Sequence, residues 1–137
     1  MDAGDMQGVI DRHLHAEKAG DPDGCVAMYT DDVVHDAVGW PGAPFRGKDA
    51  ARGFYATLMD NFRIEGEEFT HKYVSERAMT LESNVVGTVT GSMLGLPGND
   101  RQITFRMLHV FEFRGDAISR ENVWLDAGAI VAQLTAP

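Results

Sequence analysis

The chain predicts an α+β domain in which N-terminal helices close over one face of a curved antiparallel sheet. Two observations carry that prediction. Up to about residue 60, apolar residues recur mainly at helical spacing; from Phe62 onward the pattern turns to period two, with β-branched and aromatic runs broken by short polar turns. Helices that precede a sheet must cover one of its faces, and the space left between them is the expected pocket. With no linker, internal repeat or low-complexity stretch in its 137 residues, the chain reads as one domain spanning 1–137.

Met6, Val9, Ile10, His13, Leu14 and Ala16 form the stripe of a first helix that stops at Ala19-Gly20. Asp21-Pro22-Asp23-Gly24 supplies an N-cap and a proline at the first helical position, which starts a short helix running through Val26, Met28 and Tyr29. Val33 to Val38 then alternates as a strand, with Val34, Asp36 and Val38 on one face and Val33, His35 and Ala37 on the other. Gly39-Trp40-Pro41-Gly42-Ala43-Pro44 is loop. A third helix follows from Gly47 to about Asp60, burying Phe54, Tyr55 and Leu58. Strands are expected over Phe62 to Ser75, Ala78 to Met93, Gln102 to Arg114 and Ala117 to Leu125, joined by hairpin-length breaks. Asp126 can cap a last helix reaching about Leu134.

Asp36 is the first candidate for chemistry, because a carboxylate held between two valines in an apolar wall gains basicity by burial, which suits it to proton transfer. His109 is the second: it is the one polar member of the row Ile103, Phe105, Met107, Phe111 and Phe113. A buried imidazole needs a partner or a cavity, since leaving it unsatisfied costs roughly 1–3 kcal/mol. Phe105, Met107 and Phe111 are then the expected pocket wall, with Trp40 and Tyr55 at its mouth. His13, in the stripe that faces the sheet, is placed to share the space, or else it is a boundary residue reaching solvent. His35 points away from Asp36, His15 falls off the helical stripe onto the surface, and His71 has no acidic or histidine neighbour at ligand spacing.

Several function classes are excluded. A net charge of −9 with 12 scattered basic residues argues against nucleic acid and against an anionic membrane surface. No apolar run approaches spanning length, and the N-terminus lacks a signal-peptide pattern, so a cytoplasmic protein is expected. Cys25 is the sole cysteine, which forbids an intrachain disulfide. No spacing of histidines and carboxylates suggests a metal site, and no glycine-rich phosphate loop or Gly-x-Ser-x-Gly is present, so no cofactor is expected.

Val9-Ile10-Asp11-Arg12-His13, Ala19 to Gly24, Asp31-Asp32, Asp36 to Gly39, Arg52 to Ala56 and Glu121 to Asp126 with Gln133-Leu134 together resemble the ketosteroid isomerase and SnoaL-like polyketide cyclase branch of the nuclear transport factor 2-like superfamily. The resemblance implies a cone-shaped, cystatin-like sheet around a deep pocket. It sets Asp36 where ketosteroid isomerases hold their proton-shuttling carboxylate, and it sets His13 and His109 where they hold the oxyanion tyrosine and the neutral aspartic acid. Ala37 replaces the proline expected after the base. Asp126 matches an acid/base aspartate of the SnoaL-like cyclases, or is only the helix cap. The expectation is a cofactor-independent acid/base enzyme, isomerase or cyclase in type, acting on a small, largely apolar carbonyl compound or epoxide. A non-catalytic ligand-binding module and a structural dimerisation domain are the alternatives, and the family's habit of pairing sheets face to face implies a homodimer.

Overall fold

A computed structural model describes residues 1–137. The first helix, α1 (Ala3–Lys18), begins with a reciprocal cap in which Asp2 accepts from the Asp5 amide and Asp5 from the Asp2 amide. Gly20, at φ +71°, turns the chain out of it. Asp21 caps α2 (Pro22–Ala27), with Pro22 in its first turn as expected. Tyr29, however, leaves the helix and opens the strand β1 (Tyr29–Ala37). Its aromatic ring is buried, and its backbone pairs alongside Ile118. A short β2 (Phe45–Arg46) folds back on β1, and α3 (Lys48–Asn61) crosses the sheet.

Three long strands follow the period-two pattern: β3 (Phe62–Val74), β4 (Ala78–Val89) and, after a small hairpin, β7 (Arg101–Arg114). That hairpin, β5 (Ser92–Met93) and β6 (Leu96–Pro97), takes over the end of the strand expected to run to Met93. Its two turn residues, Leu94 and Gly95, both have positive φ, the twist that favours a tight hairpin. β8 (Ala117–Leu125) and α4 (Ala127–Thr135) complete the chain.

The main sheet has the order β2-β1-β8-β7-β4-β3. Its pairings are antiparallel except β1 with β8, which run parallel because β1 enters from the helical layer rather than by a hairpin. The helices lie over one face, giving the α+β architecture with a helix-covered, curved sheet. Gly87 in β4 permits the close approach of β3, since a Cβ there would stand 2.2 Å from the Phe62 ring.

The interior has two apolar clusters. One, under α1 and α2, includes Met6, Ile10, Val33, Met79, Phe111 and Ile118. The other, toward α4, includes Phe62, Val85, Val89, Ile103, Phe105 and Ile130. Between them lies the polar group described next.

Candidate active site

At the centre of the sheet a single carboxylate, Glu121 of β8, is 1% exposed. It shares an inward row with Val123, while Arg120 and Asn122 point outward and are half-buried. Three histidines surround it, one each from α1, β1 and β7. His13 Nε2 lies 3.1 Å from Oε1, His109 Nε2 lies 3.9 Å from Oε2, and His35 Nδ1 lies 4.0 Å from Oε2. Two tyrosines complete the shell: Tyr29 donates to Oε1 at 2.7 Å and Tyr55 reaches Oε2 at 3.4 Å.

The hydrogen-bond network fixes where the protons sit. His13 Nδ1 must donate, because its partner at 3.0 Å is the Cys25 carbonyl; Nε2 lies 3.1 Å from both Glu121 Oε1 and Tyr55 Oη, and the carboxylate charge holds a proton on it. His13 is therefore an imidazolium. Burial disfavours that charge, but the adjacent Glu121 carboxylate outweighs the penalty and raises the His13 pKa to about 9. Reciprocally, burial works against ionisation of Glu121, yet the charge and hydrogen bond of His13 hold its carboxyl below the ordinary range.

His35 has the opposite character. Burial drives its pKa down to about 4, so it is neutral. The proton of Tyr29 is committed to Glu121, so the 3.1 Å contact between Tyr29 Oη and His35 Nδ1 needs a proton on Nδ1. The lone pair is then on Nε2, a buried atom with no protein partner. His109 is also held neutral by burial, and its Nδ1 is likewise buried and unpartnered. The carboxylate beyond Nε2 favours the tautomer that leaves Nδ1 as an acceptor.

Both free nitrogens belong to side chains that line one cavity, with Glu121 at its floor. Trp40, Phe54, Leu58, Phe105 and Met107 supply much of its apolar wall. It is a slot of about 550 Å³, part of which opens to solvent. Such a lining suits a small, largely apolar guest.

The predicted residues divide. His109, Trp40, Tyr55, Phe105 and Met107 line the slot. His13 is fully buried behind Glu121 rather than on the wall, and Phe111 is buried in the cluster under α1. Asp36 does not converge with His109. It lies on the outer face of β1, half-buried, with Arg120 Nη2 at 3.8 Å, while its neighbour His35 takes the inward position. The alternation of β1 was read correctly, but its two faces are exchanged. Asp126 is exposed and caps α4, accepting from the Ala129 amide at 3.1 Å. Glu121, His35 and Tyr29 were missed. The signal for Glu121 was a carboxylate alternating with Val123 and Leu125, the same reasoning that singled out His109. No grouping of three or more His, Cys, Asp or Glu side chains is arranged to hold a metal, and no helix is long and apolar enough to cross a membrane.

Comparison with known proteins agrees with this architecture. No functionally curated protein matches the chain significantly. Among solved structures, TsrD from Streptomyces laurentii superposes with a TM-score of 0.84 at 17% identity, over 100% of this chain and 99% of that one. A candidate SnoaL-like polyketide cyclase from Jannaschia sp. CCS1 gives 0.85 at 16% identity, over 98% and 94%. An LEH-like epoxide hydrolase from M. tuberculosis gives 0.70 at 18%, over 92% and 86%. At these identities the likeness establishes the fold alone. The family model of the SnoaL-like domain matches residues 10–121, and the chain belongs to that family.

Proposed function

We propose that this protein is a cofactor-independent acid/base enzyme, of isomerase or cyclase type, acting on a small, largely apolar carbonyl compound or epoxide. His35 is the base in this reading, His109 the second acceptor, and Glu121 the fixed charge that orients both. One observation carries it: two neutral histidines on one apolar cavity each keep a ring nitrogen without a partner. Two unpaired acceptors in a core cost roughly 1–3 kcal/mol each, a burden that a purely structural site would shed.

The chemistry follows from the proton positions. A carbon acid or a water molecule in the slot meets the lone pair of His35 Nε2. As the proton transfers, the new imidazolium is stabilised through Tyr29 by the Glu121 carboxylate. Burial, with the His13 charge offsetting the carboxylate, keeps His35 unprotonated until substrate is present. The structural neighbours, among them a candidate polyketide cyclase and an epoxide hydrolase-like protein, are consistent with either class of electrophile.

Deuterium exchange at the carbon beside the carbonyl of 2-tetralone, followed by proton NMR, tests this. The wild type is expected to accelerate exchange, and His35→Asn to lower the rate by about 100-fold or more, the usual contribution of a positioned base. His109→Asn is expected to lose less. Wild-type rates in both variants would sink the proposal. Retention of the ketone without exchange by the wild type would instead favour a binding module.

A further inference from the structure

The site as described holds acceptors but no free donor. The Tyr29 proton is committed to Glu121, the Tyr55 hydroxyl is enclosed by Tyr29, His13 and Glu121, and the N–H groups of His13 face Cys25 and the Glu121–Tyr55 pair. His35 and His109 offer lone pairs. A reaction that ends with a new hydroxyl or enol needs a proton for oxygen, and these groups do not supply it.

Two further carboxyls line the slot: Glu67, which accepts from Ser83 Oγ at 2.7 Å, and Glu17, which makes no hydrogen bond and is the candidate. It lies on α1 one turn after His13, and its side chain is 11% exposed. The residue lines the slot and also a separate outer cleft with Lys18, Leu58, Met59 and Arg63. It thus stands in the partition between the reacting space and solvent. The polar contact it makes is a long one, 3.9 Å to His13 Nε2.

We propose that Glu17 is the proton donor of this site, delivering its carboxyl proton to the substrate oxygen while His35 Nε2 removes a proton from carbon or water. The inference rests on the reading of His35 as base. For an epoxide, the water oxygen bonds to carbon as the carbon–oxygen bond of the ring breaks. The water proton goes to His35, and the Glu17 proton goes to the released oxygen. The diol leaves a protonated His35 and an ionised Glu17, and proton exchange through the slot and the outer cleft restores both.

The electrostatics support this role. Burial raises the Glu17 pKa to about 8 against the opposing pull of His13, with the charges of Glu121 and Glu67 adding to the rise. The titratable groups around it are His13 on its own helix, Cys25 on α2, Tyr29, Tyr55, Glu67 on β3 and Glu121 on β8. Lys18, next to it on α1, and Arg63 line the outer cleft with it. Glu17 is therefore the protonated carboxyl at neutral pH, and Glu121 the ionised one. Two carboxyls with separated pKa values are the arrangement that divides acid from base work.

The test uses two probes. Opening of 5-nitrobenzisoxazole requires a base to take a carbon proton while a stable phenolate leaves; hydrolysis of styrene oxide requires the base and an acid. Glu17→Gln is expected to lower the ratio of styrene oxide to 5-nitrobenzisoxazole turnover by about 100-fold. It should also abolish a fall in styrene oxide turnover centred near pH 8, and Glu17→Asp should restore part of both. Equal losses on the two probes would overturn the proposal, because they would show a structural role. A rate loss in His35→Asn with none in Glu17→Gln would overturn it and leave the base intact, whereas unaffected His35→Asn would overturn the earlier reading. Independently, the Glu17 carboxyl carbon should titrate near pH 8 by ¹³C NMR; titration near the ordinary value of about 4.3 would overturn the assignment.

Discussion

The two faces of the β1–β8 ladder place carboxylates one register step apart in opposite environments. On the inner face His35 sits beside Glu121; on the outer face Asp36 sits beside Asn122. Glu121 is 1% exposed, ringed by histidines and tyrosines, and makes short polar contacts through Oε1. Asp36 keeps a quarter of its side chain in solvent and makes one long contact with Arg120. Residue type therefore does not decide which carboxylate can do chemistry. The strand's parity does, because it selects which of two adjacent positions is desolvated and coupled to other titratable groups.

The strongest way to break this comparison is to neutralise the inner carboxylate. Glu121→Gln leaves the His13 imidazolium buried without its counter-charge, and breaking such a pair costs roughly 3–5 kcal/mol. The cost should shrink as pH rises and His13 sheds its proton, so urea unfolding at two pH values separates charge from packing. Exchange into 2-tetralone should also fall by about 100-fold, because the imidazolium formed on His35 loses the carboxylate charge that stabilises it through Tyr29. A variant as stable and active as wild type would show that the inner face carries no special coupling.

The same network makes a signed prediction for pH. His35 and His109 have folded pKa values below their unfolded value of 6.5, so the unfolded chain binds more protons below that pH and stability rises toward it. Glu121 acts in the same direction at lower pH, since its depressed pKa adds stability that is lost in acid. His13 does the reverse: its contribution is full below 6.5 and is lost as pH climbs through about 9. Glu17 also favours lower pH, between 4.5 and about 8, and blunts the acid-side rise. Melting temperature should pass through a maximum near pH 6.5, and His13→Gln should remove the part of the alkaline fall beyond pH 8. A profile that keeps rising from pH 7 to 9 would contradict the assignment of charge to His13.

Much of this arrangement is legible in the sequence. The switch from helical to alternating periodicity marked where the helical layer ends, and Asp21 and Asp126 announced their helices by capping chemistry. His109 stood out because its neighbours at even spacing are all apolar. The first strand was not decidable in the same way. Both of its faces read as one polar residue flanked by apolar ones, Val34-Asp36-Val38 against Val33-His35-Ala37, so alternation alone could not say which row meets the core. Only the packing of Val33 beneath α1 and the parallel pairing with β8 settle it. Glu17 was invisible for a related reason: a glutamate near a helix end reads as solvated, and its burial depends on β3 and β8, far away in sequence.

The outer face supplies the smallest effect and the sharpest control. Asp36→Asn removes an ion pair whose members are 25% and 38% exposed, and pairs of that kind contribute about 0–1 kcal/mol. Its effect on 2-tetralone exchange should stay within about twofold, since no part of the side chain lines the slot and the variant preserves shape. Measured alongside His35→Asn, it compares adjacent positions of one strand that face opposite sides of the sheet. If Asp36→Asn instead lost about 100-fold while His35→Asn did not, the strand would have to present its other face to substrate, and the inner carboxylate, the tautomer of His35 and the donor role of Glu17 would all lose their footing together.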